Sequence, residues 1–528
     1  MLKRLKLTKY LSLLAIATLI SIVIWELPTI SAEKINFNYG LLGFEVRVQD
    51  LAAFAKQGEV SDRLNFYLKR IPPKQTKRLQ KFLQQSYDVD PVLVYRYSRT
   101  SVGIKLLQRI GDIIQLPGYI NGFYGLRAAV VQAASSPDGI NFVEFLQRFP
   151  TDIRLNLGEL LKLVKQVADT EEDTQEFIAS LSSSEVAEVK FDFNNPVDLS
   201  QPGQYQISQQ TLKLYDQRRD RQLNTDLFLP QGKIEPIPVI VVSNGLGAKR
   251  DRFEELAAHL TSHGFAVVIP DHPGSDRDQQ KAFLKGLYKE NFAATDFIDR
   301  PRDVSFILDE LERINPSFNN QLDLEQVGIF GYSIGGTTAL SLAGAEFDFT
   351  QLEQDCDRSL NLLNISVLYQ CRALELPRQK QPLKDERIKA VYMFVPFGQS
   401  MFDRQSLNDI AIPVLLQVVD RDFLTSLLSE HLPLFSSLGK NSYLVISEKI
   451  PHSNATLSKE QQSSQAETSK VGKTYQNILS LAFFKSYVRE DKSYSTYLSS
   501  EYLRAIALEP YKLHFLSNSD WQQYISNK

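Results

Sequence analysis

The chain has 528 residues, of which 43% are hydrophobic and 23% are charged. This composition is typical of a globular protein with a large core and predicts two domains. The formal net charge is −3, and no basic stripe is interleaved with aromatic residues, which argues against a nucleic-acid partner.

The first 32 residues differ in composition from the rest of the chain. Basic residues at positions 3, 4, 6 and 9 precede an uncharged apolar block, Tyr10 to Trp25, and Ile30-Ser31-Ala32 follows. This pattern is typical of a signal peptide over residues 1–32, and the block is short for a membrane span of ~20 residues. An uncleaved N-terminal anchor is the alternative. Either interpretation predicts an exported protein, periplasmic or extracellular, and the anchor would associate it with a membrane surface.

Residues 33–181 show apolar positions at helical spacing. Leu64, Leu68 and Ile71 share one helix face, behind a candidate cap at Ser61. No motif with recognisable chemistry lies in this region. We therefore predict a separate all-helical N-terminal domain of unknown function.

Turn-forming residues interrupt this periodicity at residues 182–204, which we interpret as a linker to a second domain, 205–528. Leu223 to Leu229 alternates as a half-buried antiparallel strand would, paired with Tyr205 to Tyr215. Short continuous apolar runs then alternate with helical stretches. The runs are Pro238–Ser243, Phe265–Ile269, Val327–Phe330, Ile388–Val395, Val414–Val419 and Tyr443–Ile446. Strands buried on both faces and separated by helices predict an α/β domain with a mainly parallel sheet.

The end of the chain combines a polar tract with helical segments. Residues 457–473 are rich in Ser, Gln, Lys and Glu and have no apolar period, which predicts a surface loop. From Tyr475 onward the pattern is helical, and we expect these segments to pack on the sheet.

The strand at Val327 is followed at once by Gly331-Tyr332-Ser333-Ile334-Gly335 and then by small, helix-compatible residues. A serine on a sharp strand-to-helix turn, with glycines two residues before and two after it, is the pattern of a nucleophile elbow, because the strained turn leaves no room for side chains there. An ordinary glycine-rich loop is the alternative. The placement between strand and helix favours Ser333 as a nucleophile.

A serine hydroxyl needs a base within hydrogen-bond reach and an acid that orients the base. Among six histidines, His452 follows the last predicted strand, in the order Ser, Asp, His that this topology requires. A structural loop histidine is the alternative. Asp420 and Asp422 both follow the strand Val414–Val419. We favour Asp422, because it lies farther out on the loop, and keep Asp420 as the alternative acid.

The oxyanion of such a reaction would be stabilised by main-chain NH groups. One comes from the residue after the nucleophile, Ile334, and one from the loop after an earlier strand, where Asn244-Gly245-Leu246-Gly247 makes Leu246 the candidate donor. A plain turn is the alternative for this loop. The scheme needs neither a metal nor a cofactor.

The only two cysteines, Cys356 and Cys371, lie between the nucleophile helix and the next strand. An exported chain folds in an oxidising compartment, so we predict a disulfide that closes this insertion. Two buried thiols are the alternative.

At these motifs the chain resembles the α/β-hydrolase family, over about residues 205–487. The resemblance is greatest to the branch of platelet-activating factor acetylhydrolases and dienelactone hydrolases. Asn244-Gly245-Leu246-Gly247 is similar to that branch's His-Gly-Leu-Gly loop, and Asp271-His272-Pro273-Gly274-Ser275 to its strand-end turn. The first half resembles the N-terminal domain of unknown function that precedes such hydrolases in cyanobacterial sequences.

The resemblance implies an α/β-hydrolase fold and a secreted serine esterase or lipase that acts on a small-molecule or lipid ester. One departure concerns the acid, which in the acetylhydrolases follows the strand after the nucleophile helix. Here the first carboxylate beyond that strand is Asp403, so we place the acid at Asp422. A peptidase, a thioesterase and a non-catalytic envelope binding protein on a hydrolase scaffold are the alternatives. The oligomeric state stays open.

Overall fold

The computed structural model describes residues 31–183, 197–232, 236–357, 362, 364–452 and 462–526. The predicted signal peptide or anchor lies outside the described residues up to residue 30, and so does most of the predicted linker. The chain divides into two compact units, residues 1–94 with 110–160 and residues 95–109 with 161–528. The predicted boundaries at residues 181 and 205 stay a prediction.

The first unit contains two small sheets, so the prediction of an all-helical region was wrong. The sheet order is β2-β1-β6-β4, and β3 pairs with β5. The strands are β1 (Lys34–Tyr39), β2 (Leu42–Arg47), β3 (Ser86–Tyr87), β4 (Ile114–Gln115), β5 (Ile140–Asn141) and β6 (Ile153–Leu155). In the β1–β2 hairpin Ile35 lies opposite Val46 and Phe37 opposite Phe44. The alternation of apolar residues in β1 and β2 is a local signal from which the hairpin could have been predicted. The strands β3 to β6 have only two or three residues, and they form because of partners distant in the chain.

Helices dominate the described chain between residues 48 and 183. They are α1 (Val48–Gln57), α2 (Asp62–Leu68), α3 (Pro73–Gln84), α4 (Pro91–Tyr97), α5 (Ser101–Ile113), α6 (Phe123–Ala134), α7 (Phe142–Gln147) and α8 (Leu157–Ser183). Ser61 caps α2, because its side chain accepts a hydrogen bond from the main-chain NH of Leu64. Leu64 and Leu68 are buried, as their spacing predicts.

The second unit is built on a nine-stranded sheet in the order β15-β14-β13-β12-β11-β9-β10-β8-β7. The strands are β7 (Ile207–Asp216), β8 (Arg221–Pro230), β9 (Ile237–Ser243), β10 (Ala266–Pro270), β11 (Leu322–Tyr332), β12 (Ile388–Phe394), β13 (Val414–Val419), β14 (Ser442–Ser447) and β15 (Leu513–Ser517). Pairing is parallel from β10 through β14 and antiparallel at both edges. The predicted mainly parallel sheet is confirmed. The predicted antiparallel pair of β7 and β8 is also confirmed.

Hydrophobic clusters cover both faces of this sheet. In β9 the alternate residues Val239 and Val241 belong to one cluster, while Ile240 and Val242 belong to the other. Successive strand residues point to opposite faces. This double burial explains why the central strands read as continuous apolar runs and not as alternating patterns.

The helices that follow β9 in the chain connect and cover these strands. They are α9 (Glu254–Ser262), α10 (Arg277–Leu284), α11 (Asp296–Ile314), α12 (Ile334–Ala343), α13 (Phe349–Asp357), α14 (Ser366–Gln370), α15 (Arg404–Asn408), α16 (Leu432–Ser437), α17 (Gln462–Tyr487), α18 (Ser500–Ile506) and α19 (Asn518–Ser526). A π-helical turn spans Leu427–His431. Among the described residues, no helix has the length and apolar character of a membrane span.

Two expectations at the end of the chain were wrong. The tract predicted as a loop begins α17 at Gln462, and the part before it lies outside the described residues. From residue 466 on, where side-chain burial is described, the first buried apolar residue of α17 is Val471. The start of the tract therefore has no apolar period, although Gln, Glu, Lys and Ala favour helix. The edge strand β15 interrupts the predicted run of helices. Its pairing with β14, some 70 residues earlier, leaves no local signal.

The parallel pairing places four predicted positions at one edge of the sheet. The carboxyl ends of β9, β11, β13 and β14 lead into the loops or turns that carry Asn244, Ser333, Asp422 and His452. Ligands of open α/β sheets bind outside the carboxyl ends of the strands. The candidate site is therefore at this edge.

Candidate active site

Ser333 lies on the turn between β11 and α12, with φ 54° and ψ −120°. A residue other than glycine rarely adopts a positive φ, and such strain clusters at functional sites. A Cβ at Gly335 would overlap the main-chain oxygen of Ser243, and one at Gly331 would overlap that of Gly335. Ser333 is partly exposed, whereas its neighbours Tyr332 and Ile334 are buried. The turn therefore has the geometry of a nucleophile elbow.

His452 lies in the loop after β14, and its Nδ1 is 2.6 Å from Asp422 Oδ2. The imidazole is 11% exposed and the carboxylate 1%. A carboxylate only accepts hydrogen bonds, so Nδ1 carries the proton and Nε2 has a free lone pair. This is the tautomer of a general base.

Asp422 is held by its own loop as well as by His452. Its Oδ1 accepts the main-chain NH groups of Leu424 and Thr425, and its Oδ2 accepts the Thr425 hydroxyl at 2.6 Å. Burial raises the pKa of Asp422, but the hydrogen bonds from His452 and Thr425 outweigh it and hold the pKa below its ordinary value. The carboxyl group is therefore ionised at neutral pH.

Sequence reasoning missed Thr425, whose Oγ1 also lies 3.3 Å from His452 Nδ1. The signal for it was an Asp followed three residues later by Thr, a spacing at which an aspartate accepts hydrogen bonds from its own loop. Sequence reasoning also missed Tyr332, whose hydroxyl donates to the main-chain oxygen of His452 at 2.9 Å. Both residues orient the histidine.

The alternative acid, Asp420, does not contact the imidazole. Its Oδ1 accepts the main-chain NH of Lys449 at 2.7 Å, and its Oδ2 lies 3.6 Å from Arg421. Lys449 has a positive φ of 60°. Asp420 therefore supports the turn that leads to His452, and the structure brings Asp422 to the imidazole.

In the described part of the chain the hydrogen bonds of His452 involve Asp422, Thr425 and Tyr332, and none reaches Ser333. The two residues nevertheless lie in one neighbourhood, because the ring centroids of Tyr332 and His452 are 5.7 Å apart. Catalytic hydrogen bonds of unliganded enzymes are often long and tighten when substrate binds.

The two candidate oxyanion donors flank the serine. A Cβ at Gly245 would lie 3.6 Å from Ser333 Cβ, which places the Leu246 loop against the elbow. Within the described ranges, the main-chain NH groups of Leu246 and Ile334 have no acceptor. Free NH groups beside a nucleophile are what an oxyanion hole requires.

Comparisons with known families agree with this architecture. Residues 238–348 match the family model described as alpha/beta hydrolase fold, a segment that includes the Leu246 loop and Ser333. The second unit has the α/β-hydrolase fold. Residues 31–156 match the family described as an alpha/beta hydrolase of unknown function, DUF1400. No curated protein matches the chain.

The α/β-hydrolase unit contains a second Ser-His-Asp array. His272 Nε2 is 3.0 Å from Ser243 Oγ, and its Nδ1 is 3.3 Å from Asp303 Oδ2. All three residues are at most 2% exposed, so no substrate reaches them. Burial first, and then the charge of Arg300, lower the pKa of His272 to about 4, and the ring is neutral. We assign this array a structural role.

A cavity of about 280 Å³ lies beside His452 in this unit, with Tyr332 and Phe394 among its lining residues. Two more phenylalanines follow the carboxyl ends of β12 and β13. Phe397 is 3% exposed and Phe423 is 68% exposed. Within the described residues, no group of three or more His, Cys, Asp or Glu side chains could hold a metal ion.

The predicted disulfide between Cys356 and Cys371 is present. It links α13 to the turn after α14 in the insertion that precedes β12. The main-chain NH groups of Ile365 and Ser366 in this insertion donate to the oxygens of Phe423 and Leu424. The cross-linked insertion therefore packs against the loop that carries Asp422.

Proposed function

We propose that the α/β-hydrolase unit is a serine hydrolase that cleaves carboxylic esters, with Ser333 as nucleophile, His452 as general base and Asp422 as the orienting acid. The observation that carries the proposal is the 2.6 Å contact between His452 Nδ1 and Asp422 Oδ2, at the sheet edge where a serine stands at positive φ.

In the first half of the reaction Ser333 Oγ attacks the ester carbonyl carbon and its proton passes to His452 Nε2. The Asp422 carboxylate stabilises the imidazolium without taking the proton. The carbonyl oxygen becomes an anion that accepts hydrogen bonds from the NH groups of Leu246 and Ile334, each worth about 3 to 4 kcal/mol in the transition state.

In the second half the intermediate collapses, His452 returns its proton to the leaving alcohol, and the acyl group stays on Ser333. Water then attacks the acyl-enzyme while His452 takes its proton. The bond between Ser333 Oγ and the acyl carbon breaks, His452 returns the proton to Oγ, and a carboxylic acid is released. Three side chains, water and the ester account for every proton and electron pair, so the proposal calls for no cofactor.

The proposed substrate is a lipid or other acyl ester. The cavity beside His452 has an aromatic wall that includes Phe394, and the rim near Asp422 carries the exposed side chains of Phe423 and Leu424. Polar and apolar residues both line the cavity, and its apolar part, which includes Phe253, Leu256 and Phe394, suits an acyl chain. The resemblance to platelet-activating factor acetylhydrolases and dienelactone hydrolases also supports an ester.

We further propose that the protein is exported. The N-terminal pattern of residues 1–32 supports this. The disulfide between Cys356 and Cys371 is compatible with an oxidising compartment.

The experiment compares the wild-type protein with Ser333→Ala. We expect a fluorophosphonate probe to label the wild type at Ser333, and the variant to lose both labelling and p-nitrophenyl ester hydrolysis, by at least about 10⁴-fold in kcat. Ser341→Ala is the matched control, because Ser341 is a buried serine of α12, the helix that follows Ser333.

The outcomes separate the alternatives. A wild type that neither reacts with the probe nor hydrolyses esters would be a non-catalytic binding protein. A Ser333→Ala variant that kept wild-type turnover would contradict the serine mechanism. Esters of increasing acyl length, compared with matched amides and thioesters, then distinguish an esterase or lipase from a peptidase or thioesterase, because the triad does not select the leaving group.

A further inference from the structure

One buried arginine is connected to the chain before and after Leu246, the candidate oxyanion donor. Arg300 lies in α11 and is 1% exposed. Its Nη1 donates to the main-chain oxygen of Asn244 at 2.6 Å, and its Nε donates to Ser275 Oγ at 2.8 Å. The main-chain oxygen of Ser275 accepts the NH of Gly247 at 2.8 Å. Leu246 therefore lies between two residues that the same guanidinium holds, one directly and one through Ser275.

The guanidinium lies beside a buried carboxyl group. Asp296 is fully buried, lies 3.7 Å from Arg300 Nε and accepts the Ser275 hydroxyl. Separating a buried cation from its partner leaves an uncompensated charge in the interior, which is strongly unfavourable. Arg300 therefore has a fixed position, and its hydrogen bond to Asn244 fixes the position of the loop Asn244–Gly247.

The base of the same loop has a second anchor. Ser243, the last residue of β9, donates its hydroxyl to His272, whose other ring nitrogen donates to Asp303. Asp303 lies one helical turn after Arg300 in α11. One helix thus anchors the strand end before the loop and the loop itself.

We propose that Arg300 is a positioning residue that holds the main-chain NH of Leu246 in place for the oxyanion. The inference rests on the proposed function. The site calls for arginine because a planar guanidinium offers several donors in a fixed fork, whereas a lysine ammonium is a flexible point charge. Arg300 touches neither the substrate nor the reacting atoms in this scheme, so its effect passes through the loop alone.

The test compares Arg300→Lys with Arg387→Lys in the full chain. Arg387 donates to the Asp385 carboxylate and, like Arg300, to a main-chain oxygen, that of Ser305 in α11. Among the described residues it contacts neither the oxyanion loop nor the two anchors of that loop. We expect Arg300→Lys to lower kcat by about 10- to 100-fold, less than or equal to the loss of one donor, with KM within twofold. Arg387→Lys should change kcat by less than threefold.

An inhibitor measurement distinguishes positioning from general loosening. A trifluoromethyl ketone forms a tetrahedral adduct with the serine and places an anion in the oxyanion hole, whereas the carboxylic acid product does not. We expect Ki for the ketone to rise in proportion to the loss of kcat/KM, and Ki for the product to stay within twofold.

Three results would overturn the proposal: a kcat for Arg300→Lys within threefold of wild type, an equal loss in Arg387→Lys, or an effect confined to KM. If Arg300→Lys does not fold, Ser275→Ala is the deciding variant. It removes the hydroxyl through which Arg300 is connected to Ser275 and Gly247, but leaves Arg300 and Asp296 in place. We expect a kcat loss of about tenfold there, and an unchanged kcat would also overturn the proposal. Failure of the proposed function itself would be seen separately, as a wild type without labelling at Ser333.

Discussion

Asp420 and Asp422 are two residues apart and have opposite environments. Asp422 accepts hydrogen bonds from His452, Thr425 and two main-chain NH groups. Asp420 supports the main chain at Lys449, and burial raises its pKa. Because each carboxylate has its own partners, one can be changed without the other.

Replacing each aspartate by asparagine separates their roles. Asp422→Asn should lower kcat on the order of 10³- to 10⁴-fold, because an amide in that place favours the wrong imidazole tautomer. Asp420→Asn keeps an oxygen for the NH of Lys449 and should retain kcat within about tenfold. Steady-state ester hydrolysis measures both. Equal losses in the two variants would contradict the assignment of the acid.

At the scale of elements, Glu430 joins three segments near the site. It lies in the π-helical turn Leu427–His431 and is fully buried. Its carboxylate accepts the main-chain NH groups of Gly398 and Gln399 after β12. Side chains of the disulfide-linked insertion also donate to it, namely Asn364, Ser366 and Gln370. A buried carboxylate with this many donors is well satisfied.

Glu430→Gln should therefore lower the free energy of unfolding by about 3 kcal/mol. One carboxylate oxygen, which accepts hydrogen bonds, becomes an NH₂ group, which cannot accept them, and the buried donors that face it lose their acceptor. Urea denaturation monitored by fluorescence measures this. Glu310→Gln is the control, since Glu310 pairs with Arg313 at the surface and should change the free energy by less than about 1 kcal/mol. A loss below 1 kcal/mol for Glu430→Gln would show that the three segments are held by other contacts.

At the scale of the whole α/β-hydrolase unit, buried histidines and buried aspartates make opposing contributions to the response to acid. Burial lowers the pKa of His259, His272 and His431 from 6.5 to about 4. Between these values the unfolded chain binds protons that the folded chain does not, so the contribution of these histidines to stability falls as the pH drops from 6.5 to 4. Burial raises the pKa of Asp271 to about 6 and of Asp296 to about 7, and these carboxyls act in the opposite direction. The pKa of His263 is also lowered, and those of Asp276 and Asp420 are also raised, so the slope of stability against pH is the sum of two opposing sets of groups.

His259 is the group to change, because it lies in α9 and packs against His263 away from the candidate triad. We expect the slope of unfolding free energy against pH between 4 and 6.5 to be less positive in His259→Leu than in the wild type by up to roughly 1.4 kcal/mol per pH unit, the effect of one proton. Urea denaturation across this pH range measures the slope. A variant with the wild-type slope would mean that His259 titrates normally in the folded protein.

The amino-acid sequence by itself determined the features that depend on neighbouring residues. Continuous apolar runs specified the central strands β9 to β14, and the glycines around Ser333 specified a turn that only small residues allow. The chain order of Ser333 and His452 then followed from the parallel topology. These signals are local, so each could be read without knowledge of its partners.

Only the tertiary structure decided what depends on partners far apart in the chain. It brought Asp422, and not Asp420, to an imidazole 30 residues away, and it placed Arg300 against Asn244 from a different element. It also added β15 to the sheet edge and continued α17 back into a tract without apolar period. Hydrogen bonds between distant segments have no sequence period, because their geometry exists only after the sheet has formed.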